Sequence, residues 1–195
     1  TPTLENLYQT ASNRTEMNWT QVTGATGYEV YRKVGNGSYS KLKSVEELSV
    51  YNASLTVGTQ YTYKVRAYQS VDGVNNYSGF SNEMKITPIP YSTGSYPESP
   101  HNYLNYMDES WSYTIDGAQA IRVTFTAETS LENNYDKLYI TDKNGNAVEK
   151  TYWTGTQLAN KTIIIPGDTV NLRMTTDGSV VRYGFAIASI TPAGQ

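Results

Sequence analysis

No cysteine occurs among the 195 residues, which excludes disulfides, thiolate metal sites and thiol nucleophiles together. The single histidine, His101, cannot assemble a zinc site by itself. A cysteine-free chain suits the cytosol and exported bacterial surface proteins alike, so this absence leaves the compartment open. No run approaches the ~20 apolar residues that span a bilayer. The start, "TPTLENLYQ", has neither the basic opening nor the apolar core of a signal peptide. Beginning without methionine inside a strand pattern, the chain is expected to be a fragment of something longer. GxSxG, Walker and HExxH signatures are absent. Basic excess is lacking too: residues 1–90 carry 8 basic and 7 acidic side chains, residues 91–195 carry 7 and 11. With no basic stripe to meet phosphates, nucleic acid is not an expected partner.

What the chain does have is tyrosine, 18 residues against 3 Phe, with 38% hydrophobic residues overall. Aromatic rings with a polar tip suit half-buried pleated surfaces. Turn signals recur along the chain ("TGATG", "VGNGS", "TVGTQ", "VDGVNN", "KNGNA", "IPGD", "TDGS"). Short alternating runs such as "GYEVYRK", "YTYKVRAY", "IRVTF" and "TVNLRM" lie between them. No segment keeps a helical period. This pattern predicts an all-β chain. The Pro-, Ser- and Gly-rich stretch "TPIPYSTGSYPESP" at 87–100 interrupts it. Two tandem β-sandwiches are expected, over 1–89 and 97–195, joined by a linker at 90–96.

The first half offers Trp19 at the end of "EMNW", then Tyr28 and Val30 in an alternating run, then Leu55, Gly58 and Tyr61 ahead of "YTYKVRAY". These residues resemble a fibronectin type III domain of immunoglobulin-like fold. The resemblance implies that Tyr61 closes a corner by bonding loop backbone through its hydroxyl. Such domains serve as spacers, partners or adhesive modules.

In the second half, "FTAETSLENNYDKLYI" places Glu128, Glu132 and Asp136 close together in a sheet-forming context. Read alone, this is a solvated loop, a catalytic pair or part of a metal site. Its neighbours are Ser99–Pro100 with Tyr103, Trp111, Phe125 with Glu128, "YDKLYI", Pro166–Gly167–Asp168 and "TTDGS" followed by "YGF". Together they resemble a CUB domain, a jelly-roll-like sandwich, here in a cysteine-free, bacterial-like form. The calcium-binding members of that family imply Glu128, Asp136 and Asp177 as ligands, with Ser179 contributing its carbonyl. Tyr106 is implied as the support of the first carboxylate, and Glu132 is expected to be solvated. Val180 departs from the Asn or Asp often found at its position. Hard oxygen donors suit calcium, which takes six to eight of them at about 2.3–2.6 Å. Unit charges 4 Å apart interact by about 4 kcal/mol at an effective dielectric near 20, so converging carboxylates call for a cation.

A glycosidase pair of Glu128 and Asp136 would need one acid raised in an apolar cleft. Loop-end carboxylates of small sandwiches rarely provide one, and catalysis is not expected. The reading is a non-catalytic accessory or adhesive fragment of a larger secreted or cell-surface protein, bacterial in kind and monomeric. Calcium stabilises its second module, which binds an extracellular protein or glycan. The alternatives are purely structural spacers, or a carbohydrate-binding module of a secreted polysaccharide-degrading enzyme. In that last case Tyr135, Tyr152 and Trp153 are the candidates to stack on sugars.

Overall fold

A computed structural model describes residues 1–195, and every regular element in it is a strand. No helix is long and apolar enough to cross a membrane. The chain divides into two compact units, Thr1–Ser92 with Ala193–Gln195, and Thr93–Pro192.

The first unit packs two antiparallel sheets. One holds β1 (Leu4–Ala11), β2 (Arg14–Trp19) and β5 (Ser49–Asn52), in the order β1-β2-β5. The other holds β3 (Gly27–Val34), β4 (Ser40–Val45), β6 (Tyr61–Val71), β7 (Val74–Tyr77) and β8 (Met84–Ile86). Here the order is β4-β3-β6-β7, with β8 also on β6. Alternation decides which side chains meet: Thr15, Met17 and Trp19 of β2 point inward, opposite Tyr63, Val65 and Ala67 of β6. Trp19 lies against Tyr28 with ring centroids 5.6 Å apart. The Tyr61 hydroxyl accepts the Thr56 N–H at 2.9 Å and so closes the loop ahead of β6. This arrangement, in which β7 and β8 follow one another along the same edge of β6, is fibronectin type III-like. Between β7 and β8 the ladder along β6 is broken, and two serines repair it. Ser78 and Ser81 each accept a β6 N–H through Oγ (from Ala67 and Val65, both 3.0 Å), while their own N–H groups donate to the same residues' carbonyls. The N–H and carbonyl groups of Val65 and Ala67 are thereby paired.

Past residue 89 the unit continues to Ser92: the Tyr91 hydroxyl donates to the carbonyl of fully buried Gln9 at 3.2 Å and Tyr91 N–H donates to Ser12 Oγ at 3.3 Å, next to the Ile89 N–H and carbonyl that bond the Gln9 amide at 3.0 and 2.9 Å. Part of the stretch expected to link the modules is thereby fastened to β1. The expected 97–195 module also differs at its far end, because Ala193–Gln195 lies in the first unit. Gly194 N–H donates to the Leu7 carbonyl at 2.6 Å, and Gln195 and Lys85 exchange two backbone bonds at 3.0 and 2.8 Å. A Cβ at Gly194 would sit 2.7 Å from both Leu7 Cδ2 and the Lys85 carbonyl oxygen, so the close approach requires glycine.

The second unit is an antiparallel sandwich of three strands on three. β12 (Thr162–Pro166), β10 (Ala120–Phe125) and β14 (Ile187–Ala193) form one sheet in that order. The other runs β11 (Lys137–Thr141), β13 (Thr169–Thr175), β9 (Asp108–Thr114). Phe185 joins the two layers, edge-on to Trp111 of β9 at 5.0 Å and to Phe125 of β10 at 6.5 Å. Ile121, Val123, Leu138, Ile140, Leu172 and Met174 complete the interior, each at most 1% exposed. Burying side chains of this size contributes roughly 1.5–3 kcal/mol apiece.

Candidate metal centre

The loop from β10 to β11 is held by its polar residues. The Thr129 hydroxyl bonds the Ala186 backbone, Ser130 pairs with Gly184, and Leu131 N–H donates to the Gly155 carbonyl at 3.0 Å. Asp136 N–H then donates to the Glu132 carbonyl at 3.2 Å, closing a five-residue turn. Such a turn sets side chains four positions apart on one side. Asp177 arrives from the end of β13, and its N–H donates to Asp136 Oδ1 at 2.9 Å.

One carboxylate oxygen each from Glu132, Asp136 and Asp177 can be chosen so that all lie within 4.8 Å of one another. Asp136 is fully buried beside the buried Tyr103. The Tyr103 hydroxyl donates to Asp136 Oδ2 at 2.5 Å and accepts the Glu132 N–H at 2.9 Å, so one phenol positions two members of the cluster. The Thr154 hydroxyl accepts the Asn134 N–H at 2.8 Å and lies 3.0 and 2.9 Å from the Glu132 and Asp136 carbonyls. Glu132 Oε2 is buried with no hydrogen-bond partner. Burial, followed by the charges of Asp177 and Asp136, raises the Glu132 carboxyl above its ordinary value, against an opposing pull from Arg182. Burial and the bond to Asp136 push the Tyr103 phenol far above the usual range, so it stays a donor.

The sequence-derived set is only partly gathered here. Asp136 and Asp177 come together, but Glu128 does not join them. It sits exposed in the turn closed by Thr129 N–H on the Thr126 carbonyl, one residue before the inward-facing Thr129. Glu132, expected to be solvated, takes the third place. Tyr106, expected behind the first carboxylate, is 83% exposed and reaches the cluster through its N–H on the Asp177 carbonyl at 2.8 Å. Tyr103 fills the supporting role instead. Ser179 is exposed, and its N–H donates to Asp177 Oδ1 at 3.0 Å. Among the proposed sugar platforms, Tyr135 and Tyr152 are exposed, whereas Trp153 is 4% exposed and pairs with Leu138 in the interior. Its ring cannot stack on a sugar.

His101 stands apart from the carboxylates. Its Nδ1 meets the Tyr183 carbonyl at 2.8 Å, its Nε2 meets Glu98 at 2.9 Å, and its ring stacks on Tyr183 at 3.9 Å.

Parts of this chain are similar to parts of much longer proteins. Over 86 residues it is 37% identical to an amylopullulanase of Thermoanaerobacterium thermosulfurigenes, covering 43% of this chain and 4% of that protein. Over 98 residues it is 31% identical to the E3 ubiquitin-protein ligase HERC2 of Homo sapiens, covering 49% of this chain and 2% of that one. Among solved structures, the sixth fibronectin type III domain of a human fibronectin type III domain containing protein 3 aligns at a TM-score of 0.37 and 19% identity. That alignment covers 49% of this chain and 89% of the domain. The family described as the Uncharacterized protein E02H4.4 C-terminal domain matches residues 71–193, more than half of the chain, and this chain belongs to it.

Proposed function

We propose that this chain is a non-catalytic accessory part of a larger extracellular polysaccharide-degrading protein, and that its second unit carries a calcium ion. The observation behind the first half of this reading is the 37% identity to a segment of an amylopullulanase, an enzyme whose name places it on glucans. A groove beside the acidic loop, about 500 Å³ between Ser130, Asn133, Gly155, Gln157 and Arg182, has no carboxylate in its lining. A sugar lodged there would meet no acid–base pair of the kind that cleaves glycosides.

The second half of the reading rests on the fit of the donors. Glu132, Asp136 and Asp177 offer only hard oxygen, with no histidine or cysteine to favour a softer metal. Glu132 Oε2 is buried and has no hydrogen bond to satisfy it, as expected of a ligand. Three carboxylates within 4.8 Å repel by about 3–4 kcal/mol per pair at an effective dielectric near 20, and a divalent cation reverses that sign. Calcium there supplies charge neutralisation and loop rigidity. The CUB resemblance belongs to the same reading, with Glu132 replacing Glu128.

The test uses the full chain on granular starch and on chitin, with released reducing ends assayed in parallel. Retention without hydrolysis is expected. Hydrolysis, or passage through both materials, overturns the reading.

A further inference from the structure

We infer that the outward face of the sheet β11-β13-β9 is a binding groove for a neutral glucan chain. This rests on the accessory reading above and adds a site and a ligand class to it.

The register across this sheet places Tyr139, Arg173 and Ser110 in one row and Thr141, Asn171 and Ser112 in the next. Their inward neighbours Ile140 and Leu172 are buried in the core, so these six point the other way, to the outside. The edge strand contributes only serines to the two rows, which leaves the sheet surface open beside the larger Tyr139 and Arg173. The result is a groove of about 630 Å³ bounded at one end by the turn at Gly145. That volume lies within the range of small-molecule sites, about 300–1,000 Å³.

Charge narrows the choice of ligand. Arg173 donates through Nε and Nη2 to the two carboxylate oxygens of Asp108, both at 2.7 Å, so its charge is already matched. Asp142, at the turn, accepts from Asn144 N–H, Asn146 N–H and Asn146 Nδ2 at 2.8, 2.9 and 3.0 Å, which occupies both its oxygens. Asp142 is buried and outside the lining, and Arg173, the one charged residue in it, is ion-paired, so the groove does not select an acidic or a basic ligand. What it offers is hydroxyls from Ser110, Ser112 and Thr141, an aromatic wall at Tyr139, and the Asn171 amide. That amide is fixed by its donation to the Asp142 carbonyl at 3.1 Å, leaving Oδ1 as an acceptor. Neutral pyranose chains present the complement: rings with apolar faces rimmed by hydroxyls that both donate and accept. Because the contact residues sit on paired strands, the array is preorganised.

The experiment is affinity electrophoresis of the full chain in native gels containing pullulan, soluble starch or polygalacturonate. Wild type, Tyr139→Ala, Asn171→Ala and the remote control Glu128→Gln are compared. Retardation of wild type and control by the neutral glucans is expected, with each groove variant weakened about tenfold. The groove variants must melt within about 3 °C of wild type, so that lost binding is not lost folding. Equal retardation of all four proteins overturns the groove and leaves the accessory reading standing. Retardation by polygalacturonate alone overturns the neutral ligand. A wild type unretarded in both glucans overturns the groove whatever its behaviour on granules. If it also passes through granular starch and chitin, both readings fall.

Discussion

The Tyr103 hydroxyl and the Asp136 carboxylate form a buried pair, 2.5 Å apart, at the point where the acidic loop meets the second sandwich. Tyr103→Phe keeps the ring in place and removes both bonds of the hydroxyl. Bonds to charged groups contribute about 1.5–3 kcal/mol, so urea unfolding of the second unit should lose roughly that much. An unchanged midpoint would mean that solvent or a neighbour replaces the phenol at no cost.

Chelation and charge removal separate Glu132 from Glu128. Calcium in hundredfold excess over its Kd stabilises the native state by about 2.7 kcal/mol, a shift of several degrees. Glu132→Gln should abolish that shift, and in chelator it should melt above wild type because one repelling charge has gone. Glu128→Gln should leave the calcium response intact. Thermal melts of the three proteins, each in calcium and in chelator, decide it, and a response lost in Glu128→Gln would return the site to the sequence-derived ligand set.

Glu29 is expected to contribute to the acid response of the first unit. It is 3% exposed on β3, with Arg66 Nε and Nη2 donating to Oε2 at 3.0 and 2.7 Å, and Lys41 donating to Oε1 at 3.1 Å. Burial pushes its carboxyl up, but the bonds from Arg66, Lys41 and Tyr31 outweigh burial and hold it below its ordinary 4.5. A carboxyl depressed on folding stabilises above its unfolded value, and that contribution is lost as pH falls from about 4.5 towards the folded value. Glu29→Gln should cost about 2–3 kcal/mol at neutral pH, less than a fully buried pair because Arg66 remains partly exposed. Its stability should also vary less between pH 5 and pH 3 than that of wild type. Parallel pH profiles in the two proteins would assign the acid transition to other groups.

Gly194 tests the return of the chain to the first unit. Alanine there must displace Leu7 or the Lys85 carbonyl, for which overpacking costs typically 1–3 kcal/mol. Hydrogen exchange should report faster exchange at Gly194, Gln195 and Lys85, whose amides bond across this junction. Unaltered protection at these amides would show that the backbone accommodates a methyl group.

Local chemistry made much of the fold legible. Trp19, Tyr28 and Tyr61 stand in alternating runs bounded by turn residues, so their burial and the Tyr61 corner could be read one segment at a time. Asp136 and Asp177 were legible as acids at strand ends. Glu132 was not, because a turn closed by the Glu132 carbonyl and Asp136 N–H reverses which acid faces inward, and nothing in the alternation of "IRVTF" marks where that turn begins. The spacing of "ENNYD" does carry a usable signal, acids four residues apart as one helical turn would place them. Tyr103 and Tyr106 are separated only by which one points into the core, a tertiary fact. Trp153 is a candidate for stacking by residue type alone, yet its pairing with Leu138 buries it. The placement of Ala193–Gln195 depends on partners near the opposite end of the sequence, beyond any local pattern.

That last placement bears on the order in which the molecule assembles. The bond between Gly194 and Leu7 joins residues 187 positions apart, so on an unfolded chain it must close a very long loop before any contact rewards it. Once Thr93–Pro192 has collapsed into its own sandwich, most of that loop is already ordered and only short connecting segments remain to be restrained. The topology therefore predicts that the segment 193–195 joins the first unit late, with protection at Gly194 and Gln195 the slowest to appear in pulsed hydrogen exchange. Until it does, the edges of β1 and β8 that receive it remain open.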